Sequence, residues 1–295
     1  MQMFLNPGPK LEINEYEFKE LRLARQTLID AFSLEEKWEI VIFNYQELER
    51  ELLVCATEHA VREVRGYKDM FMLNAPLTPR VVNLLTATRL YIDQVPQHLS
   101  KNALDPIRIA YKSECSRHYD ESFDFRFMEA LRNYVQHKGI PVHMVSHGGE
   151  WVNFSPEKRK LEFSTVIKSQ KKYFAEDSNF KKSVLKEMPD SVNIIECARS
   201  YIERLSKIHD FVRTKKEKFA NNARLLIEES HKKYLALSET SVMALEAISV
   251  NENEEINERV PLLLNWDDVR LSLVKRNPVL NSLAASYVTS RSFKK

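Results

Sequence analysis

"SLEEKWEIVIFNYQELERELLV", residues 33 to 54, decides the fold class. Ser33 and Glu36 stand at capping-box spacing, where a serine oxygen and a glutamate side chain satisfy the first free N–H groups of a helix. Trp38, Val41, Ile42, Tyr45, Leu48, Leu52 and Val54 then recur at helical intervals. That periodicity predicts a long helix over about 34–65, preceded by a shorter one over about 15–31. Thr78 before Pro79 and Asp105 before Pro106 each read as an N-cap followed by the first helical position. They open helices over about 79–99 and 106–118, with Pro96 a kink or an end in the first. A further helix over about 121–138 stops at Gly139 and Pro141.

The character of the chain changes at "IPVHMVSHGGEWVNFSPEKRKLEFSTVI", residues 140 to 167, where short β-prone runs are separated by a Gly-Gly turn and by "SPEKRK". Beyond Pro189, Asp190 caps a heptad-like pattern of Val192, Ile195, Ile202, Leu205, Ile208, Val212, Phe219 and Leu226 that continues to about 237. Such a helix is about 70 Å long, so a break or a partner chain is expected. A polar link, "NENEEINER" (251–259), leads to a last helix near 266–276. The fold class is therefore all-α, mainly a helical bundle, with a small inserted β-hairpin or meander around 140–167. No linker rich in Pro, Gly or Ser divides the chain. It reads as a single domain over 1–295, with N-terminal helices (15–65), a core (79–138), the β-prone insert and the long C-terminal helix (190–237).

Composition narrows the chemistry. The 5 glycines never form G-x-G or a phosphate loop ahead of a lysine, so dinucleotide and nucleoside-triphosphate cradles are set aside. Three widely spaced cysteines without a CxxC pair indicate neither a disulfide framework nor a thiolate metal site, and point to a reducing cytoplasm. No apolar run reaches the roughly 18 residues of a membrane span, and Pro7 interrupts any signal-like core. The net charge of +2 conceals an asymmetry: residues 1–150 hold 18 basic and 22 acidic side chains, leaving 26 and 20 in residues 151–295. Much of the basic excess falls in 155–186, where Lys171, Lys172, Lys181 and Lys182, together with Lys138 just upstream, are candidates for drawing a polyanion such as RNA. The competing reading is a solvated surface with loose lysines.

An arginine followed by a histidine four to seven residues later occurs three times, as Arg132 with His137, Arg204 with His209 and Arg224 with His231. The last two sit within a lysine-rich helical stretch, where scattered surface charge explains them. The first lies in "MEALRNYVQHKGIP" (128–141), has Asn133 directly after the arginine, and is flanked by Phe125, Phe127, Leu131, Tyr134 and Val135. A histidine whose ordinary pKa is near 6.5 can take the proton of an RNA 2′-hydroxyl, and a guanidinium suits the phosphate charge that then develops. Positions five apart lie about 140° round a helix, so Arg132 and His137 do not share a face, whereas Asn133 and His137 do. Asn133 could thus hold the imidazole while Arg132 reaches round, or a second subunit could complete the site across a two-fold axis.

"LRNYVQHKGIP" on a helix of an all-α chain resembles the HEPN superfamily, whose signature is an arginine, a polar residue and a histidine four to six residues on. By this resemblance Arg132 and His137 match the two functional positions and Asn133 the polar one. The resemblance implies a helical bundle, commonly dimeric, in which many members are metal-independent ribonucleases acting as toxins or defence effectors. The expectation is a cytoplasmic endoribonuclease without cofactor, with RNA as substrate, a homodimeric partner, an antitoxin or regulatory protein as a further partner, and no membrane. An alternative is a non-catalytic helical dimer that binds RNA or protein. The structural reading of the same residues pairs Arg132 with Glu129 or Asp93 and sets His137 against the carbonyls of a helix end. His137, His143 and His147 raise zinc only weakly, with Glu150 as the nearest further ligand.

Overall fold

A computed structural model describes residues 10–99, 105–153, 159–237 and 245–289. The protein is mainly α-helical with two small antiparallel sheets. In chain order the helices are α1 (Glu15–Val61), α2 (Tyr67–Asn74), α3 (Leu77–His98), α4 (Asp105–Glu121), α5 (Phe123–His137), α6 (Lys171–Ala175), α7 (Lys182–Glu187), α8 (Ile194–Leu235) and α9 (Asn265–Arg276). The strands are β1 (Met144–Asn153), β2 (Arg159–Gln170), β3 (Ser191–Asn193), β4 (Glu246–Val250) and β5 (Ile256–Pro261).

The chain divides into two compact units, and two of the three boundaries between them fall inside long helices, α1 and α8. One unit comprises residues 1–36 and 210–278. Its core gathers Phe18, Leu21, Ala24, Leu28 and Ala31 of α1, Ala220, Ala223 and Ile227 of α8, and Val260, Leu262 and Leu264 from β5 and the segment after it. The buried Glu35 carboxylate accepts from Arg213 Nε at 3.0 Å and Nη2 at 2.7 Å within this unit. The second unit comprises residues 37–209 and 279–295. There the α1 residues Trp38, Val41, Tyr45, Leu48, Leu52 and Cys55 are buried in a regular alternation of three and four, the period that keeps one helix stripe against its neighbours. Each such side chain contributes about 1.5–3 kcal/mol by leaving water.

Several boundaries differ from those expected, each for a physical reason. The two N-terminal helices are one: Ser33 does not cap, because the apolar stripe Leu28, Ala31, Leu34, Trp38 runs through it at helical spacing. Its downstream end comes at Val61 instead of about 65. Pro96 sits inside α3, which ends two residues later, with the Leu99 N–H bonded to the Pro96 carbonyl at 3.2 Å. The long C-terminal helix begins at Ile194 instead of Asp190, where the Asn193 side chain accepts from Ile195 N at 3.2 Å. It has no break, and in each unit it packs against α1.

Gly148 and Gly149 do not turn. They lie within β1, opposite Ser164 and Phe163 of β2, and a Cβ on Gly149 would meet Leu161 Cδ1 at 3.1 Å. The glycine leaves room for a leucine from the partner strand. Part of the "SPEKRK" turn, residues 155–158, lies outside the described residues. Nor is 251–259 a plain link: it is the turn and second strand of the β4–β5 hairpin, with the Asn251 side chain accepting from the N–H groups of Asn253 and Glu255 and Glu254 at φ 62°. Asparagine closes such a turn on its own backbone.

Candidate active site

Helix α5 carries the motif. Its start is fixed by Ser122, whose hydroxyl accepts from Phe125 N at 3.2 Å, and its buried face is Phe125, Phe127, Met128, Ala130 and Leu131. The Phe125 ring meets that of Tyr201 of α8 edge to face at 4.8 Å. At the other end the Tyr134 carbonyl accepts from both Lys138 N at 2.8 Å and Gly139 N at 3.3 Å. That closure leaves His137 on the last turn, exposed.

Glu129, Asn133 and His137, each four residues from the next, line one side of a cavity of about 350 Å³. Tyr134 of the same helix, Lys138 just past its end, Tyr119 of α4 and the stretch between α6 and α7 close it. Glu129 is held from behind by the Tyr201 hydroxyl and by Arg89, whose Nη1 lies 3.6 Å from it. Arg89 also pairs with Asp93 at 2.6 Å. Both carboxylates proposed as structural partners of Arg132 are thus engaged by another arginine. Arg132 itself donates from Nη1 to Asn133 Oδ1 at 2.6 Å, its buried Nε has no acceptor, and among the described residues it meets no carboxylate. Asn133 therefore orients the guanidinium, not the imidazole. His137 has no hydrogen-bond partner among the described residues, the helix-end carbonyls included.

The basic candidates separate. Lys138 and Lys181 line the cavity, and the Lys181 ammonium lies 4.4 Å from the Tyr119 ring centroid. Lys172 sits over Tyr173 at 4.9 Å, and Lys182 is exposed on the first turn of α7. Lys171, half-buried, donates to the Met188 carbonyl at 2.8 Å and so braces the segment after α7. Sequence reading missed Tyr119, Asp177, Asn179 and Phe180 as lining residues. The four-residue spacing back from His137 through Asn133 to Glu129 was a usable signal for the helix, but the irregular 176–181 segment offered none.

The other Arg–His pairs are structural, though not as scattered surface charge. His209 is buried, hydrogen-bonded to the Tyr91 hydroxyl at 2.9 Å and stacked on Trp38. Arg204 lies 3.3 Å from His118 and 3.4 Å from Glu121. Arg224 pairs with Asp267 and Asp268, each at 2.8 Å, while His231 Nε2 bonds the Leu262 carbonyl at 2.7 Å. Among the described residues no group of three or more His, Cys, Asp or Glu is arranged to hold a metal ion. His143 accepts from Gln170 N at 3.0 Å, and His147 bridges Asn74 and Thr165.

Those histidines carry a pH prediction. Burial lowers the pKa of His118, aided by Arg117 and Arg204; it lowers His143 and, with His59 nearby, His147. A histidine with a lowered folded pKa takes its proton first in the unfolded chain, so stability is present above about pH 6.5 and declines as the pH falls below it. The thermal midpoint is expected to be lower at pH 5.5 than at pH 7.5, and His143→Gln with His147→Gln should flatten that difference. Equal dependence in the variant would exclude these two groups as its source.

Comparison with protein-family models, with curated proteins and with solved structures finds no match for the chain. Among the described residues no helix is long and apolar enough to cross a membrane.

Proposed function

We propose that the chain is a HEPN-like endoribonuclease that cuts RNA without a metal ion. The observation that carries the reading is the state of the Arg132–Asn133–His137 trio: an imidazole with no partner among the described residues faces the same cavity as an asparagine whose amide oxygen holds a guanidinium that no described carboxylate neutralises. A buried N–H without an acceptor costs about 1–3 kcal/mol, and the Arg132 Nε is such a group. In this reading His137 takes the 2′-hydroxyl proton, Arg132 balances the charge on phosphorus, and Asn133 positions Arg132. The role of a toxin or phage-defence effector, the homodimer, the antitoxin and the cytoplasmic setting rest on the family resemblance of "LRNYVQHKGIP" alone.

The test is induced expression of wild type beside Arg132→Ala, following growth and RNA integrity in the same cells. Growth arrest with RNA fragmentation by wild type only supports the reading. Identical behaviour of the two soluble proteins rejects it.

A second reading, RNA binding without cleavage, draws on the pairing of exposed cations with aromatic rings, Lys172 over Tyr173 and Lys181 over Tyr119. Such pairs form stacking platforms for unpaired bases. For either reading Lys181→Ala should weaken RNA affinity and reduce the salt slope by about one. Lys171→Met should leave affinity unchanged and lower stability. The reverse pattern, in titrations at two salt concentrations, would remove the assignment of Lys171 as a brace.

A further inference from the structure

Cleavage of RNA by its own 2′-oxygen needs a base for the attacking hydroxyl and an acid for the departing one, and the motif supplies a single histidine. Resting on the ribonuclease reading above, we propose that Tyr134 is the missing acid, its phenolic O–H protonating the 5′-oxygen as it leaves. Tyr134 lines the same cavity as His137, three residues before it on the last turn of α5. Its hydroxyl has no hydrogen-bond partner among the described residues and is not sealed from solvent.

The ring is held by its surroundings. Phe174 meets it edge to face at 4.8 Å, Phe180 and His143 at 6.3 Å each. Gly139 follows the helix beside it, and a Cβ there would stand 2.7 Å from the Tyr134 hydroxyl oxygen. The glycine preserves the space that this oxygen occupies.

The other groups on the cavity wall suit the role less well. Glu129 accepts from Tyr201 and faces Arg89, so its oxygens are engaged as acceptors. Asp177 accepts from Asn179 N at 3.0 Å. The Tyr119 hydroxyl is met by the Lys181 ammonium. Lys138 is exposed on a flexible stem. Burial, with the negative charges of Asp177 and Glu176, pushes the Tyr134 phenol up, so it holds its proton at neutral pH.

The step balances. The 2′-oxygen forms a bond to phosphorus as its proton passes to His137, the bond from phosphorus to the 5′-oxygen breaks, and the Tyr134 proton goes to that oxygen. The products are a 2′,3′-cyclic phosphate and a 5′-hydroxyl. Water then returns a proton to the phenolate and removes one from the imidazolium.

The test uses two RNA oligonucleotides that each contain one cleavable linkage, one with the natural 5′-oxygen and one with a bridging 5′-sulfur, which leaves without a proton. Tyr134→Phe keeps the ring packing and is expected to cut the oxygen linkage about 10²-fold or more slowly, the range for a lost general acid. On the sulfur linkage it should match wild type within a few-fold. Gly139→Ala, which displaces the phenol without removing it, should show the same rescue, whereas His137→Ala should be slow on both. Wild-type rates for Tyr134→Phe on oxygen, or equal losses on oxygen and sulfur, overturn the assignment of Tyr134 while leaving the ribonuclease reading in place. If wild type cuts neither linkage, the ribonuclease reading falls, and this inference with it.

Discussion

His137→Ala is expected to slow cleavage of a single-stranded RNA oligonucleotide about 10²–10⁴-fold, the span that a positioned general base contributes. The variant should fold as wild type does, because the imidazole it removes is exposed and makes no hydrogen bond among the described residues. Arg132→Ala should lose activity on a similar scale. Arg132→Lys should recover only part, since an ammonium cannot offer the paired donors of a guanidinium or accept the direction that Asn133 imposes on it. Residues that serve one transition state are not additive. The double variant Arg132→Ala, His137→Ala should therefore be little slower than the worse single one. Single-turnover rates measured near pH 7, with the unfolding midpoint as a control, decide the matter. A His137→Ala protein that cuts at the wild-type rate would falsify the role of this residue.

What the sequence made legible follows the same physics. Helix α5 and its end could be read because Gly139 and Pro141 stop a strong amphipathic pattern, and α9 was placed within a residue or two. The break expected at Ser33 was a contest between a local cap and a long stripe. Burial of Leu28, Ala31, Leu34 and Trp38 at helical spacing outweighs the roughly 1 kcal/mol that a cap supplies. In the second half of α8 the eye follows Phe219 and Leu226, yet the core there is Ala220, Ala223 and Ile227, with Phe219 exposed. Alanines carry little hydrophobic signal and permit close packing of helices, so the stripe is shifted by one residue from the bulky pattern. Short helices α2, α6 and α7 had no period long enough to be recognised. At the site, the helical spacing of Asn133 and His137 was readable. That Asn133 faces Arg132 rather than the imidazole depends on rotamers, and that residues 177–181 close the cavity depends on tertiary contact.

Arg199→Leu is expected to be the most damaging single change to stability. Glu49 of α1 is 7% exposed and accepts from Arg199 Nε at 2.7 Å, from Arg199 Nη2 at 2.9 Å and from the Tyr45 hydroxyl at 2.6 Å. Removing the arginine leaves a buried carboxylate with the Tyr45 hydroxyl, a loss of about 3–5 kcal/mol. At about 2–4 °C per kcal/mol for a domain of this size, the thermal midpoint should fall by roughly 10 °C. Replacing both partners, Glu49→Leu with Arg199→Leu, removes the uncompensated charge and should restore most of that loss, because a well-packed apolar pair is often as stable as a buried ion pair. Denaturant titrations of wild type and the two variants measure both effects. A double variant no more stable than Arg199→Leu would show that packing of the arginine stem, and not the stranded carboxylate, is what holds α8 to α1 in this unit.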